Sequence, residues 1–168
     1  MALIRNRALA TDTWRSLEDG ALPAAGDVVV PVAVWLSERE RLLARAGRLG
    51  VLLQPNDEPA VVAGDLAHLA LIAVHFPVFT DGRGYSTARL LRERHGWRGE
   101  LRAVGDVQRD QLFCLARAGF DAFELRRGED AAAALGAFDD FSETYQAAAD
   151  QPLPLFRRRG GARETSHG

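Results

Sequence analysis

Two passages of this chain hold residue types that could do chemistry. One is Phe79-Thr80-Asp81-Gly82-Arg83-Gly84-Tyr85-Ser86, and the other is Asp106-Val107-Gln108-Arg109-Asp110-Gln111. Each follows a short apolar run, Leu71-Ile72-Ala73-Val74-His75-Phe76 or Leu101-Arg102-Ala103-Val104-Gly105, and precedes a helical pattern. In α/β proteins the loops that leave the C-terminal ends of parallel strands carry the ligands. Both loops are therefore expected on one edge of one sheet. In the first loop, two glycines let backbone come close to a ligand. A helix expected to begin near Ser86 offers free N–H groups and a positive dipole end. Arg83 adds a planar fork suited to sulfate, phosphate or carboxylate. That combination describes an anion site. The candidate ligand-binding residues are Asp81, Arg83, Gly84, Tyr85 and Ser86, joined by Asp106, Arg109 and Asp110 from the second loop.

The same residues have plain structural readings. An Asp81–Arg83 pair would hold a tight turn. Asp106 could act as general base or ligand at a strand end, but an N-cap role alone explains an Asp there. Arg109 and Asp110 could form a surface ion pair worth under ~1 kcal/mol. The Gly-Arg-Gly string matches neither the P-loop nor the dinucleotide fingerprint, and no residue is assigned a catalytic role.

Other reactive residues are isolated. His75 could shuttle a proton beside Asp81, but no second His, Cys or Glu stands at ligand spacing, so no metal site is expected. Arg102 alternates with Leu101 and Ala103 and shares a face with Val104. In a sheet covered on both faces it would be buried and need a carboxylate, with Glu124 or Asp106 the expected partner. The single Cys114 leaves no internal disulfide and no dithiol pair. The chain has no Lys, which removes lysine Schiff-base chemistry. No flavin, nicotinamide or haem motif is present, and no cofactor is expected.

The elements that must position these residues follow an alternating order. The composition, 47% hydrophobic and 26% charged with a net charge of −2, is that of a globular chain and lacks the basic surplus of a nucleic-acid binder. No apolar run reaches the ~18 residues of a membrane span. The first residues lack a signal-peptide core, so a cytoplasmic protein is expected. Residues 1–20 suggest a small edge hairpin. Strands are expected near 28–35, 51–54, 70–76, 101–105 and 122–125. Ser37-Glu38-Arg39-Glu40 reads as a capping box. Helices are expected over 107–118, with Asp106 as N-cap, and over about 129–148, with Gly136 as a potential break. This order predicts an α/β domain over 1–150. Its sheet is mostly parallel, with about five strands and flanking helices, either open and doubly wound or a partial barrel. Residues 151–168, with two prolines and Arg157-Arg158-Arg159, read as a disordered tail.

Three passages carry a resemblance. They are the run from Phe76 to Arg92 with its Thr80-Asp81-Gly82-Arg83-Gly84-Tyr85-Ser86 centre, the run from Gly99 to Leu112, and Arg117-Ala118-Gly119-Phe120-Asp121-Ala122-Phe123. Together they resemble a bacterial family of unknown function whose members are often labelled as an oxidoreductase involved in sulfite reduction. Its genes commonly lie beside assimilatory sulfite reductase. The resemblance covers roughly residues 1–148 and is specific over 72–126. It implies a role in sulfur assimilation and a partner such as sulfite reductase or another protein of that pathway. It supplies no catalytic residues. Two readings follow. One is an accessory protein of sulfate and sulfite reduction without a redox cofactor of its own. The other is a small enzyme or binding protein for a phosphorylated or sulfonated metabolite, using the strand-end loops. Separately paired charges at those loops favour the first; convergence on one pocket favours the second.

Overall fold

The computed structural model describes residues 1–17 and 21–139. The chain opens with a hairpin, β1 (Leu3–Arg5) and β2 (Ala8–Ala10), followed by the short strand β3 (Arg15–Ser16). Asn6 and Arg7 make its turn with φ of 52° and 62°, the positive pair that a type I′ hairpin turn requires. Then come β4 (Val28–Pro31), α1 (Val32–Ser37), α2 (Arg39–Ala44), β5 (Leu49–Leu53), a 3-10 helix over Pro59–His68 and β6 (Leu71–Phe76). The chain continues with α3 (Arg83–Arg89), which runs into a π turn over Leu90–Arg94, then β7 (Glu100–Gly105), α4 (Leu112–Ala118), β8 (Ala122–Glu124) and α5 (Ala131–Asp139).

One eight-stranded sheet has the order β2-β1-β8-β7-β6-β5-β4-β3. From β3 to β8 every neighbour is parallel and consecutive in sequence. Only β1 pairs antiparallel, with β2 on one side and β8 on the other. A doubly wound sheet reverses its strand order at a switch point. This one never does, so each crossover steps the same way and returns on the same side. The helices accordingly share one apolar layer. Trp35, Leu42, Val62, Ala88, Leu91, Leu112, Leu115, Ala134 and Phe138 pack with Val28, Val30, Val51, Leu53, Ile72, Val74, Phe76, Leu101, Ala103 and Phe123. The opposite face buries a smaller strand cluster of Val29, Leu71 and Ala73 with Trp14, and no helix residue joins it. The sheet is thus singly wound and curled into a half-barrel, with helices outside and a concave face inside.

The partial-barrel expectation holds and the doubly wound one does not. The sheet has eight strands of mixed direction rather than about five parallel ones, because three short strands before residue 17 extend it at both edges. The strand expected over 28–35 ends at Pro31. Val32 and Trp35, three apart, turn inward on the helix α1 instead, so packing overrides β-branched propensity. The capping box at Ser37 does not form. Glu38 is the N-cap of α2 and makes no side-chain cap bond, while Ser37 Oγ donates back to Val34 O at 3.3 Å. The helix expected over 107–118 starts later, as a 3-10 turn at Arg109 that leads into α4. Its N-cap is Gln108, whose side chain forms a reciprocal capping box with Gln111. Gly136 does not break α5. The rest of the helix expected to 148, with Phe141, Tyr145 and Ala148, lies outside the described residues, as does the tail over 151–168 with Arg157–Arg159. No helix among the described residues is long and apolar enough to cross a membrane.

Candidate functional site

Both loops singled out in the sequence stand at the C-terminal edge of the sheet, and they touch. Phe79 is held between them. Its N–H donates to Asp106 Oδ2 at 2.9 Å, and its carbonyl accepts from Gln111 Nε2 at 2.7 Å. Asp106 Oδ1 also accepts from Gln108 Nε2 at 3.2 Å and Arg126 Nη1 at 3.3 Å. One carboxylate thereby joins the loops after β6, β7 and β8. Asp106 is a loop clasp and not the helix N-cap. Hydrogen bonds from Gln108, Phe79 and Arg126 hold its carboxyl below the usual carboxylate range.

The first loop is equally self-contained. The helix begins at Arg83, earlier than Ser86. Asp81 Oδ1 accepts the Arg83 N–H and Nε–H, both at 3.0 Å, and Oδ2 accepts from Nη2 at 2.7 Å. Arg83 Nη1 reaches Asn56 Oδ1 of the loop after β5 at 2.6 Å. The guanidinium fork that was to hold an anion therefore holds Asp81, and Arg83 holds that carboxyl below its ordinary range. Gly84 answers to packing. A Cβ there would press into the Phe76 ring, with Cε1 at 2.6 Å, so Gly84→Ala is expected to cost about 1–3 kcal/mol by overpacking, read from urea unfolding. Tyr85 packs edge-on against Phe76 with centroids 5.6 Å apart, and burial pushes its phenol up. The Ser86, Arg109 and Asp110 side chains are exposed. Arg109 takes part through its backbone N–H, which donates to Glu129 Oε2 at 3.3 Å.

The concave face offers what the loops do not. Strand register sorts its side chains into layers. Leu52, Ala73 and Arg102 stand side by side on β5, β6 and β7. Two residues further toward the C-terminal ends come His75 and Val104, with Gln54 just past β5. A cavity of about 310 Å³ opens over them. Its floor is apolar, with Val29, Leu52, Leu71, Ala73 and Val104. Its polar lining includes Asp12, Ser16, Gln54, His75, Arg102 and Glu124, with Trp14 at the side. None of Asp81, Arg83, Asp106 and Arg109 lines it.

Arg102 is 2% exposed, as the alternation along its strand implied. Its partners are not Glu124 or Asp106. Nε and Nη2 donate to Glu100 Oε1 at 3.0 and 2.8 Å, and Nη1 lies 3.1 Å from Asp12 Oδ2. Glu100 is two residues back on the same strand face, whereas Asp12 arrives from the loop before β3. That loop is shaped by Asp12 Oδ1, which accepts the Trp14 N–H at 3.0 Å. His75 Nδ1 lies 2.7 Å from Gln54 Oε1. The amide oxygen can only accept, so Nδ1 is the donor in this contact. Trp14 is 8% exposed and its Nε1 is buried without an acceptor. The other two indoles are satisfied, Trp35 by Asp65 at 2.9 Å and Trp97 by the Glu100 carbonyl at 3.2 Å.

Sequence reasoning placed Arg102 in the interior and His75 near a strand end, beside Asp81, but missed Asp12, Trp14 and Gln54. Only long-range pairing brings Asp12 to Arg102, and no local pattern marks it. Among the described residues no group of three or more His, Cys, Asp or Glu is placed to hold a metal ion. A family model described as a bacterial protein of unknown function (DUF934) matches residues 50–156, more than half of the chain. No curated protein and no solved structure matches it.

Proposed function

Starting from a chain that belongs to the DUF934 family of bacterial proteins of unknown function, we propose that it is an accessory protein of assimilatory sulfate and sulfite reduction with no redox cofactor of its own. The sulfur connection rests on the resemblance over residues 72–126 to proteins encoded beside sulfite reductase. The geometric support is the self-pairing of the strand-end charges. Arg83 is paired with Asp81 and Asn56, and Asp106 with Phe79, Gln108 and Arg126. A residue already spent on a neighbour has little left for an oxyanion. The partner on this reading is sulfite reductase or another protein of the pathway, and the protein works in the cytoplasm.

Growth of a deletion strain tests the role. It is expected to grow poorly on sulfate as sole sulfur source and normally on sulfide or cysteine, which bypass sulfite reduction. Equal growth on all three would end the proposal. The competing reading, a binding protein or enzyme for an anionic metabolite at the strand-end loops, requires an oxyanion to displace Asp81 from Arg83. Calorimetric titration with sulfite, sulfate and phosphate is expected to give no heat that depends on Arg83. Binding that Arg83→Ala abolishes would favour the metabolite reading instead.

A further inference from the structure

Apart from that role, we infer that the protein binds a second copy of itself head to tail. Phe79, at the C-terminal edge of one sheet, enters an aromatic hole at the N-terminal edge of the next.

The knob belongs to the loop after β6. Val78 and Phe79 are 52% and 51% exposed, although the Phe79 backbone is held on both sides. Its N–H donates to Asp106 and its carbonyl accepts from Gln111. An exposed aromatic side chain on a backbone already fixed loses little freedom on binding, and such side chains anchor interfaces.

The hole lies at the edge where the parallel strands start. Asn6 and Arg7 turn the β1–β2 hairpin there, and the Asn6 N–H donates at 2.9 Å to the carbonyl of Asp121, just before β8. A cavity of about 320 Å³ opens beside them. Phe120, Phe123 and Phe138 line it together with Ala116, and Asn6, Arg7 and Asp121 supply its polar part. The Arg7 guanidinium stands 5.5 Å from the Phe138 ring centroid. This space admits a benzyl group, which can meet the three rings edge-on.

Charge decides which surface covers which. Around the knob, residues 54–58, 77–83, 106–111 and 125–130 carry seven carboxylates against four arginines. Around the hole, residues 5–7, 90–100 and 117–121 carry six arginines against three carboxylates. The knob end is acidic by three charges and the hole end basic by three. Two knob ends brought face to face would repel, and so would two hole ends. Knob against hole joins opposite signs. The contact uses different surfaces on the two copies, so each copy keeps a knob or a hole for a further one.

Sedimentation velocity of the full chain tests this. Wild type is expected to associate as its concentration rises. Association should weaken at least tenfold when NaCl is raised from about 50 to about 500 mM. Phe79→Asp and Ala116→Glu should each stay monomeric. Should Ala116→Glu disturb the fold, Arg7→Glu at the exposed rim replaces it. Mixed one to one, Phe79→Asp keeps an intact hole and Ala116→Glu an intact knob, so the two should form a heterodimer and nothing larger. A wild type that stays monomeric at every concentration would overturn the inference and leave knob and hole to other occupants. Association unchanged in both variants would overturn it too. Association lost in Phe79→Asp but kept in Ala116→Glu would show a symmetric knob-to-knob dimer instead. A mixture of the two variants that stays monomeric would likewise end the head-to-tail reading.

Discussion

Replacing Arg102 by Met is expected to lower the unfolding free energy by about 3 kcal/mol. The side chain is almost wholly buried and neutralises two carboxylates. Removing one member of a buried ion pair typically costs about 3–5 kcal/mol, because the partner charge stays behind without compensation. Two details place this case at the lower end. Asp12 is 37% exposed and can turn to water, and Arg5 lies 3.8 Å from Glu100. Most of the loss should therefore trace to Glu100, whose side chain is only 13% exposed. A double variant, Arg102→Met with Glu100→Gln, should recover more than half of it. Urea unfolding of both variants measures the effect. A single variant within 1 kcal/mol of wild type, or a double variant no better than the single, would show that the pair is not what Arg102 contributes.

The second large effect is at Gly105, where Ala is expected to cost about 3 kcal/mol. Gly105 ends β7 with φ +98°, and a Cβ there would press on the Phe76 carbonyl and stand 2.8 Å from His75 Cδ2. The left-handed backbone accounts for about 1–2 kcal/mol. The clash adds about 1–3 kcal/mol more, since the Phe76 carbonyl is already fixed as acceptor of the Asp106 N–H at 2.7 Å. Gly128 supplies the control. It has a similar φ of +91° with open space around the added carbon, so Gly128→Ala should show the backbone share alone. If the two variants lose equal stability, the crowding at Gly105 has no energetic weight. The His75 ring signals should move in Gly105→Ala and stay in place in Gly128→Ala.

The sequence made the repeating unit readable and the curvature only half so. Alternation of short apolar runs with helical spacing located β5 to β8 to within two residues, because each strand is apolar on the face that meets the helices. Period-two alternation also placed Arg102 inside, away from Leu101 and Ala103. Singly wound order was not readable, since strand runs do not state on which side a crossover returns. The helix at Val32 was misread because three β-branched or aromatic residues follow Pro31, and only their packing against the sheet decides for a helix. The strand–loop–helix order puts both loops on one edge, but which of their charges pair depends on contacts such as Arg83 to Asn56 and Phe79 to Asp106, which no local pattern states. The concave cavity escaped because its members come from opposite ends of the chain. Asp12 and Arg102, or Trp14 and Leu71, are neighbours only once the sheet has curled.

The order of pairing along the sheet also sets the order in which a growing chain can assemble it. Strands β3 to β8 each find their partner in the segment just before, so they can add one after another as the ribosome supplies them. The hairpin β1–β2 is made first, yet its place is beside β8, where Leu3 pairs with Glu124. At about 5–20 residues per second, synthesis of the stretch between them takes roughly 6 to 24 s. Through that interval Leu3 and Ile4, both buried in the finished sheet, have no docking strand. The edge of a nascent half-barrel and its waiting hairpin are then the surfaces that a chaperone would shield.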